Sequence, residues 1–131
     1  MKISTPEEAF RFFNDRLRSE VEEFWAAALN ADKRVIRALC LFRGTVDHCT
    51  FHPRDVFRFA YMNNASSLVV AHNHPSGNAK PSPQDDEVTR ALLFAALLLE
   101  VPVVDHLILG RPGQRDYYSY LREGRLRSGS A

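Results

Sequence analysis

Two histidines one residue apart, His72 and His74, are the side chains in this sequence best suited to bind a metal ion. They follow an apolar run at residues 67–71 that is typical of a buried strand, and alternate side chains of a strand point to the same face. Asp85 stands on the first turn of a predicted helix and can fold back towards them. Two imidazoles and one carboxylate leave one position of a tetrahedral zinc ion open, as in catalytic zinc sites.

The same residues also have a purely structural interpretation. A histidine in a strand is usually a hydrogen-bonded surface or core residue, and Ser82-Pro83-Gln84-Asp85 is a complete helix start by itself. In this interpretation Ser82 caps the helix and Asp85 complements the positive end of its dipole. The two interpretations are compatible, because Ser82 can cap the helix while its hydroxyl group faces the water at the metal.

Hydrolysis at a zinc ion also needs a general base, which is a carboxylate that accepts a proton from the attacking water. The candidates are Glu20, Glu22, Glu23, Asp86 and Glu87. Their spacing in the sequence does not choose among them.

The composition indicates one globular domain. The chain has 131 residues, of which 45% are hydrophobic and 25% are charged, and this length is sufficient to bury a core. The net charge of +1 gives no overall field that would attract nucleic acid or a membrane. We predict a single domain over residues 1–123 and a flexible basic tail over residues 124–131. Three arginines cluster near the C-terminus of this sequence: Arg122, Arg125 and Arg127. We interpret them as solvated, and contact with phosphate groups is the alternative.

No segment of the sequence predicts insertion into a membrane or secretion. The longest apolar run, residues 91–99, is far shorter than the roughly 20 residues that a membrane helix needs. The N-terminus lacks the apolar core of a signal peptide. Cys40 and Cys49 form no motif, and we expect reduced thiols in a cytoplasmic protein.

Hydrophobic periodicity and turn signals predict the order helix, two or three strands, helix, strand, helix, two strands. This order indicates an α/β fold with a mixed β-sheet sandwiched by helices. The first helix is predicted to run from Pro6 to Arg18 or Glu20 and to bury Val21 at its end. A hairpin turn is predicted at residues 30–33, and a third strand at residues 45–51.

Two further helices complete this prediction. The second, starting at Pro53, is expected to bury Met62 together with its other apolar residues. The third spans residues 82–100 and is apolar nearly all round over residues 91–99, which predicts that it is deeply buried.

The motif residues resemble a known signature. His72-Asn73-His74-Pro75, then six residues, Ser82, two residues and Asp85 match the JAMM (MPN+) metalloprotease signature at every fixed position. Over roughly residues 4–123 the chain resembles the C-terminal domain of the RadC family, which implies a JAB/MPN, cytidine-deaminase-like architecture. The matching stretches are Leu41-Phe42-Arg43-Gly44-Thr45, His52-Pro53-Arg54-Asp55-Val56-Phe57, Ala71-His72-Asn73-His74-Pro75-Ser76-Gly77, Pro81-Ser82 with Asp85, and Asp105-His106-Leu107-Ile108.

The resemblance implies a role for each matched residue. His72, His74 and Asp85 correspond to the zinc ligands, and Ser82 to the serine that supports the bound water and the developing oxyanion. The family's catalytic glutamate follows the first helix, and Glu22 matches it better than Glu23. Since neighbours on a strand face opposite ways, only one of the two can point at the zinc. His106 is expected to support the metal ligands or to pack near the site rather than to bind the metal.

The resemblance therefore implies a zinc-dependent hydrolase, a peptidase or isopeptidase acting on a peptide or protein. One alternative is a DNA-repair-associated or nuclease-like protein, and another is a catalytically silent interaction module. The DNA alternative is weakened by the near-neutral charge and by the absence from this sequence of the family's helix-hairpin-helix domain. The segment Arg37-Ala38-Leu39-Cys40 also departs from the family, where acidic residues are frequent. A homodimer through a strand edge is a further expectation.

Overall fold

The computed structural model of the chain describes residues 1–44 and 52–126, which form a five-stranded sheet between helices. The helices are α1 (Pro6–Asn14), α2 (Pro53–Met62) and α3 (Pro83–Leu99). The strands are β1 (Glu23–Leu29), β2 (Val35–Arg43), β3 (Ser67–Asn73), β4 (Val103–Leu109) and β5 (Tyr117–Ser119). The described strands lie in the order β2-β1-β3-β4-β5. The α/β mixed-sheet prediction is confirmed, because β3 and β4 are parallel while the other described neighbours are antiparallel.

Alternation along the strands produces two apolar layers. One face of β1 and β3 packs against α2 and α3, through residues such as Phe24, Leu68 and Val70. The other face packs against α1, through residues such as Val69 and Ala71. Every residue of β3 and β4 is buried, as expected for strands covered on both faces. His72 follows the alternation of Leu68 and Val70, so it lies on the α3 side of the sheet.

The first helix ends earlier than its periodicity predicts. It stops at Asn14, and the amide groups of Arg16 and Leu17 both turn back to the carbonyl of Phe13. Leu17 remains buried, but Val21 is 47% exposed and therefore does not lie on a buried helix face as predicted. The segment after the helix is instead held beside the end of β3 by hydrogen bonds to Asn73.

The predicted hairpin is present between β1 and β2, with Glu23 paired to Arg43 at the open end. Its turn places Lys33 at a φ of 66°, a left-handed conformation that turns accommodate. The third strand predicted at residues 45–51 lies outside the described residues, and so do Cys49 and residues 127–131 of the predicted tail. Within that tail, Leu126 is buried and Arg125 pairs with Asp86 at 3.0 Å.

The prediction that α3 is deeply buried is wrong for one of its faces. Leu92 and Ala96 pack into the core, while Phe94, Leu97 and Leu98 are 66%, 63% and 66% exposed. The helix covers the sheet with one side only, and no other described element covers the opposite side. Met62, expected on the buried face of α2, is likewise 72% exposed. Among the described residues no helix is long and apolar enough to cross a membrane.

We predict that Leu92→Ala lowers the free energy of unfolding by about 2–5 kcal/mol, because it leaves a cavity between α3 and the sheet. Denaturant titration measures this change. Ile36→Ala, which shortens an apolar side chain on the exposed part of β2, should stay within about 0.5 kcal/mol of the parent chain. Equal losses in the two variants would contradict the assigned core.

Candidate metal centre

Three side chains meet where β3 ends and α3 begins. His72 is the penultimate residue of β3, His74 follows the strand, and Asp85 lies in the first turn of α3. The Nε2 atoms of the two histidines are 3.2 Å apart. One carboxylate oxygen of Asp85 lies 3.0 Å from Nε2 of His72, and the other lies 3.1 Å from Nε2 of His74. The three side chains therefore share one small polar space.

This spacing fits a tetrahedral metal ion. With metal–ligand bonds of about 2.0–2.2 Å, the ligand atoms of a tetrahedral zinc site lie about 3.3–3.5 Å apart. The distances between His72, His74 and Asp85 are only slightly shorter, and one carboxylate faces both ring nitrogens. Two imidazoles and a carboxylate suit a divalent transition ion. The site also remains accessible on one side, since His74 is only half-buried.

The charge of Asp85 is strongly stabilised. Burial alone would raise the pKa of this carboxyl, but hydrogen bonds with His72 and His74 and from the Ser82 amide outweigh burial and hold the pKa well below its usual range. Burial would lower the pKa of His74, yet its contacts with Asp85 and the Asn78 carbonyl, and the charge of Glu22, raise it. At neutral pH a negative Asp85 thus faces the two imidazoles, which is the charge that a metal ligand must carry.

Ser82 forms the capping box of α3 with Asp85. Its hydroxyl oxygen accepts a hydrogen bond from the Asp85 amide at 3.2 Å, and its own amide donates to the Asp85 carboxylate at 2.7 Å. These bonds fix the carboxylate at the helix N-terminus, where the dipole favours negative charge. The hydroxyl hydrogen of Ser82 is not used in this cap, so it can still be donated into the site.

The two candidate glutamates point in different directions. A carboxylate oxygen of Glu22 and a ring nitrogen of each of His72 and His74 all lie within 4.8 Å of one another. Glu23 instead accepts a hydrogen bond from the Trp25 indole at 2.9 Å and pairs with Arg43 at 2.7 Å. Only Glu22 therefore lies beside the histidine pair.

Glu22 could also be a metal ligand with the two histidines, in place of Asp85. The geometry favours Asp85, because its oxygens already lie at about the ligand–ligand distance of a tetrahedral site from both histidines. Of the remaining acidic candidates, Asp86 is engaged by Tyr120 and Arg125. Glu20 and Glu87 are exposed.

Asn73 was not singled out from the sequence, yet it holds the segment that carries Glu22. Its side-chain oxygen accepts from the Glu23 amide at 2.7 Å, and its NH₂ group donates to the carbonyls of Ser19 and Val21 at 3.2 and 3.1 Å. These bonds bracket Glu22 on both sides. They also hold residues 19–23 beside the end of β3, where these residues do not continue α1. In the sequence, the signal for this role is the position of an amide residue between the two histidines.

A second polar chain lies beneath the metal-binding atoms. Nδ1 of His72 is 2.9 Å from Nε2 of His106, and Nδ1 of His106 is 2.7 Å from the Thr89 hydroxyl. Thr89 in turn donates to the carbonyl of Asp85 at 2.8 Å. His106 is fully buried, and burial followed by the charge of His72 lowers its pKa well below the usual value. His52 is the N-cap residue of α2, and its side chain makes no capping hydrogen bond.

One known family matches nearly the whole chain. The model of the RadC-like JAB domain matches residues 3–126. The chain belongs to the RadC-like JAB domain family. Curated relatives named UPF0758 protein include one from Xanthomonas campestris and one from Thioalkalivibrio sulfidiphilus, each 43% identical over 82% of this chain. A UPF0758 protein from Symbiobacterium thermophilum is 37% identical over 95% of the chain. The matched regions cover 48%, 49% and 52% of these relatives, so the chain spans about half their length.

We predict that Asn73→Ala lowers the free energy of unfolding by about 1–3 kcal/mol, because it leaves buried backbone groups without partners. Hydrogen-exchange mass spectrometry should show faster exchange at residues 19–23. Asn63→Ala removes a comparable amide, which donates to the Phe59 carbonyl in α2, and should leave exchange at residues 19–23 unchanged. Parent-like exchange in the Asn73 variant would contradict the assigned role.

The ion pairs of the metal-free site should be visible in the pH dependence of stability. Asp85, with its pKa lowered in the folded state, stabilises the fold above its unfolded pKa of about 3.9, and this contribution is lost as the pH falls further. His74, with its pKa raised, contributes below its unfolded pKa of about 6.5, and loses this contribution as the pH rises through the folded value.

In the presence of a chelator, the stability advantage of the parent chain over Asp85→Asn should therefore be largest between about pH 4 and 6.5 and should shrink on both sides. Denaturant titrations across this pH range measure the difference. An advantage that is constant with pH would contradict the pairing of Asp85 with the histidines.

Proposed function

We propose that this chain is a zinc-dependent hydrolase of the JAMM type that cleaves peptide or isopeptide bonds. The observation that carries the proposal is the spacing of His72, His74 and Asp85, whose donor atoms lie 3.0–3.2 Å apart with the Glu22 carboxylate beside them. Membership of the RadC-like JAB family is consistent with hydrolysis. Two nitrogen ligands, one oxygen ligand and one open position are characteristic of catalytic zinc sites.

In this proposal the site residues have different roles in hydrolysis. His72, His74 and Asp85 hold the ion, which when bound would lower the pKa of water to about 7 and polarise a carbonyl. Glu22 accepts the proton of the attacking water and delivers it to the leaving nitrogen. Ser82 donates its hydroxyl hydrogen towards the oxyanion that develops on the carbonyl. Removing one such donor typically costs about 10²–10³ in rate.

A groove whose lining includes Pro81, the residue before Ser82, is available to an extended substrate. It has a volume of about 440 Å³ and is lined on one side by residues 79–81, which belong to the loop joining His74 to Ser82, and on the other by Tyr117 and Tyr118. Lys80 gives it a donor for a backbone carbonyl of a peptide. A chain lying in this groove passes close to the loop that ends at the metal-binding residues, which fits a peptide better than a compact small molecule.

The described surface offers less support for a nuclease or another DNA-associated function. Arg122 lies over the Tyr117 ring and donates to its carbonyl, and Arg125 lies over Tyr120 and pairs with Asp86. These contacts engage Arg122 and Arg125, the two arginines of the predicted phosphate-binding tail that lie within the described residues. The silent interaction module remains the alternative that the following experiments separate from the hydrolase.

The first experiment measures zinc content by elemental analysis in the purified chain, in His74→Ala and in Asp85→Ala. We expect about one zinc ion per chain in the parent after reconstitution and a clear loss in both variants, since each removes one of three protein ligands. Gln84→Ala alters the exposed neighbour of Asp85 and serves as the matched control that retains zinc. A parent chain that takes up no zinc, or variants that retain it, would reject the proposed centre.

The second experiment separates metal binding from catalysis. Glu22→Gln should keep zinc but lose about 10²–10⁴ of the rate of peptide or isopeptide cleavage, because it removes the general base. Glu23→Gln changes the adjacent carboxylate, which points towards Trp25 and Arg43, and should keep most of the activity. A peptide library and lysine-linked isopeptides provide the substrates. If zinc binds and no substrate is cleaved by the parent chain, the interaction module becomes the favoured function.

A further inference from the structure

His106 and Thr89 form a directional hydrogen-bond chain that ends on a candidate metal ligand. The Asp85 carbonyl can only accept, so the Thr89 hydroxyl uses its single hydrogen in the 2.8 Å bond to that oxygen. Thr89 must then accept in its 2.7 Å contact with Nδ1 of His106, which therefore carries the hydrogen. Each donor in this chain is determined by the one before it.

The same logic continues to His72. A neutral His106 with its hydrogen on Nδ1 presents a lone pair on Nε2, and this atom lies 2.9 Å from Nδ1 of His72. His106 is fully buried, and a second proton on its ring would place a charge away from water at high cost. His72 must therefore donate from Nδ1, so that Nε2, the atom that faces Asp85 and His74, is the ring nitrogen available to a metal ion.

We infer that His106 is a positioning residue that fixes His72 in the one tautomer able to bind the metal, with Thr89 fixing His106 in turn. This inference rests on the proposed zinc centre. Flanking rings support the orientation, because Phe24 stacks with His72 and Tyr120 stacks with His106. Metal-binding histidines usually donate to a carboxylate, a carbonyl or water. A neutral imidazole acceptor instead adds no negative charge to the site, which keeps the bound ion more electrophilic.

The test measures zinc affinity by competition with a chromophoric chelator in His106→Phe, Thr89→Val and His106→Gln. We expect about a 10–100-fold weaker affinity in His106→Phe, which is the usual cost of losing such a partner, and a smaller loss in Thr89→Val. His106→Gln should recover affinity, because its amide can both accept from His72 and donate to Thr89. Ser119→Ala removes a different buried hydrogen bond, the one to Asp105, and should bind zinc like the parent.

A spectroscopic readout distinguishes positioning from packing. Nitrogen-15 NMR of the metal-free parent should show a hydrogen on Nδ1 of His72, and Thr89→Val should lower the population that carries it. Parent-like zinc affinity and an unchanged tautomer in the folded variants would overturn the inference. Should His106→Phe fail to fold, the nearly isosteric Thr89→Val decides the outcome. Failure of the parent to bind zinc would instead reject the proposed function.

An independent observation concerns the outer face of α3, which carries the exposed side chains of Phe94, Leu97 and Leu98. The exposed Tyr61 of α2 adjoins this face, since its hydroxyl donates to the Leu99 carbonyl at 2.7 Å. A helix that is apolar nearly all round is normally buried, and contiguous exposed apolar surface marks interaction sites.

The charges at the two ends of this face point to a second copy of the chain. Arg90 precedes the apolar residues and Glu100 follows them, both exposed, and the last turn of α3 has no basic residue to complement the negative end of its dipole. When two copies pack α3 against α3 in antiparallel fashion, Arg90 of each approaches Glu100 of the other. The geometry points to a two-fold symmetric contact of this kind.

Light scattering coupled to size-exclusion chromatography tests this contact over a range of protein concentrations. The parent should show a dimer mass that falls on dilution, and Phe94→Glu should be monomeric. Ile36→Glu, on exposed β2, should remain dimeric. Arg90→Glu should weaken the dimer, and the added Glu100→Arg should restore it. A monomeric parent, a dimer that survives Phe94→Glu, or a charge exchange without effect would each overturn the arrangement.

Discussion

The carboxylate of Asp85 is the interaction on which the rest of this site depends. Its two oxygens face Nε2 of His72 and of His74, and one of them also accepts the Ser82 amide hydrogen. A buried negative charge is tolerable only when it is paired and hydrogen-bonded. Here the pairing comes from the two imidazoles, and the hydrogen bond comes from the N-terminus of a helix whose dipole favours the same sign. The carboxylate thus joins strand, loop and helix at one point.

The topology of the sheet explains why the catalytic candidates converge at this edge. Because β3 and β4 are parallel, α3 must return across the sheet and start near the end of β3, which brings Asp85 to the histidines. Because β1 is antiparallel to β3, it begins at that same edge, with Phe24 paired to His72. The residue just before β1 therefore lies beside the histidines. Asn73 then fixes the backbone on both sides of Glu22.

Local sequence signals predict which helices and strands form. They predict less well where these elements end and how exposed their residues are. The Ser-Pro-x-Asp start of α3 and the turn after β1 are encoded within a few residues, and both were predicted correctly. Periodicity extends α1 to Arg18 or Glu20, whereas Asn73, far along the chain, bonds the carbonyls of Ser19 and Val21 outside the helix. The exposure of Phe94 is not predicted, because apolar residues indicate that a helix face is buried in a contact. They do not show whether that contact lies within the chain or with another molecule.

In the candidate site, too, some features follow from local sequence and others depend on tertiary structure. Residue types and spacing sufficed to bring the two histidines and Asp85 together as a hypothesis, since strand alternation and helix-start chemistry are local properties. The choice between Glu22 and Glu23 needed the partners of Glu23, because Trp25 and Arg43 turn that carboxylate away from the site. The contact between His106 and His72 needed the register of two neighbouring strands. Sequence thus proposes which atoms can bind the metal, and tertiary structure determines which hydrogens they carry.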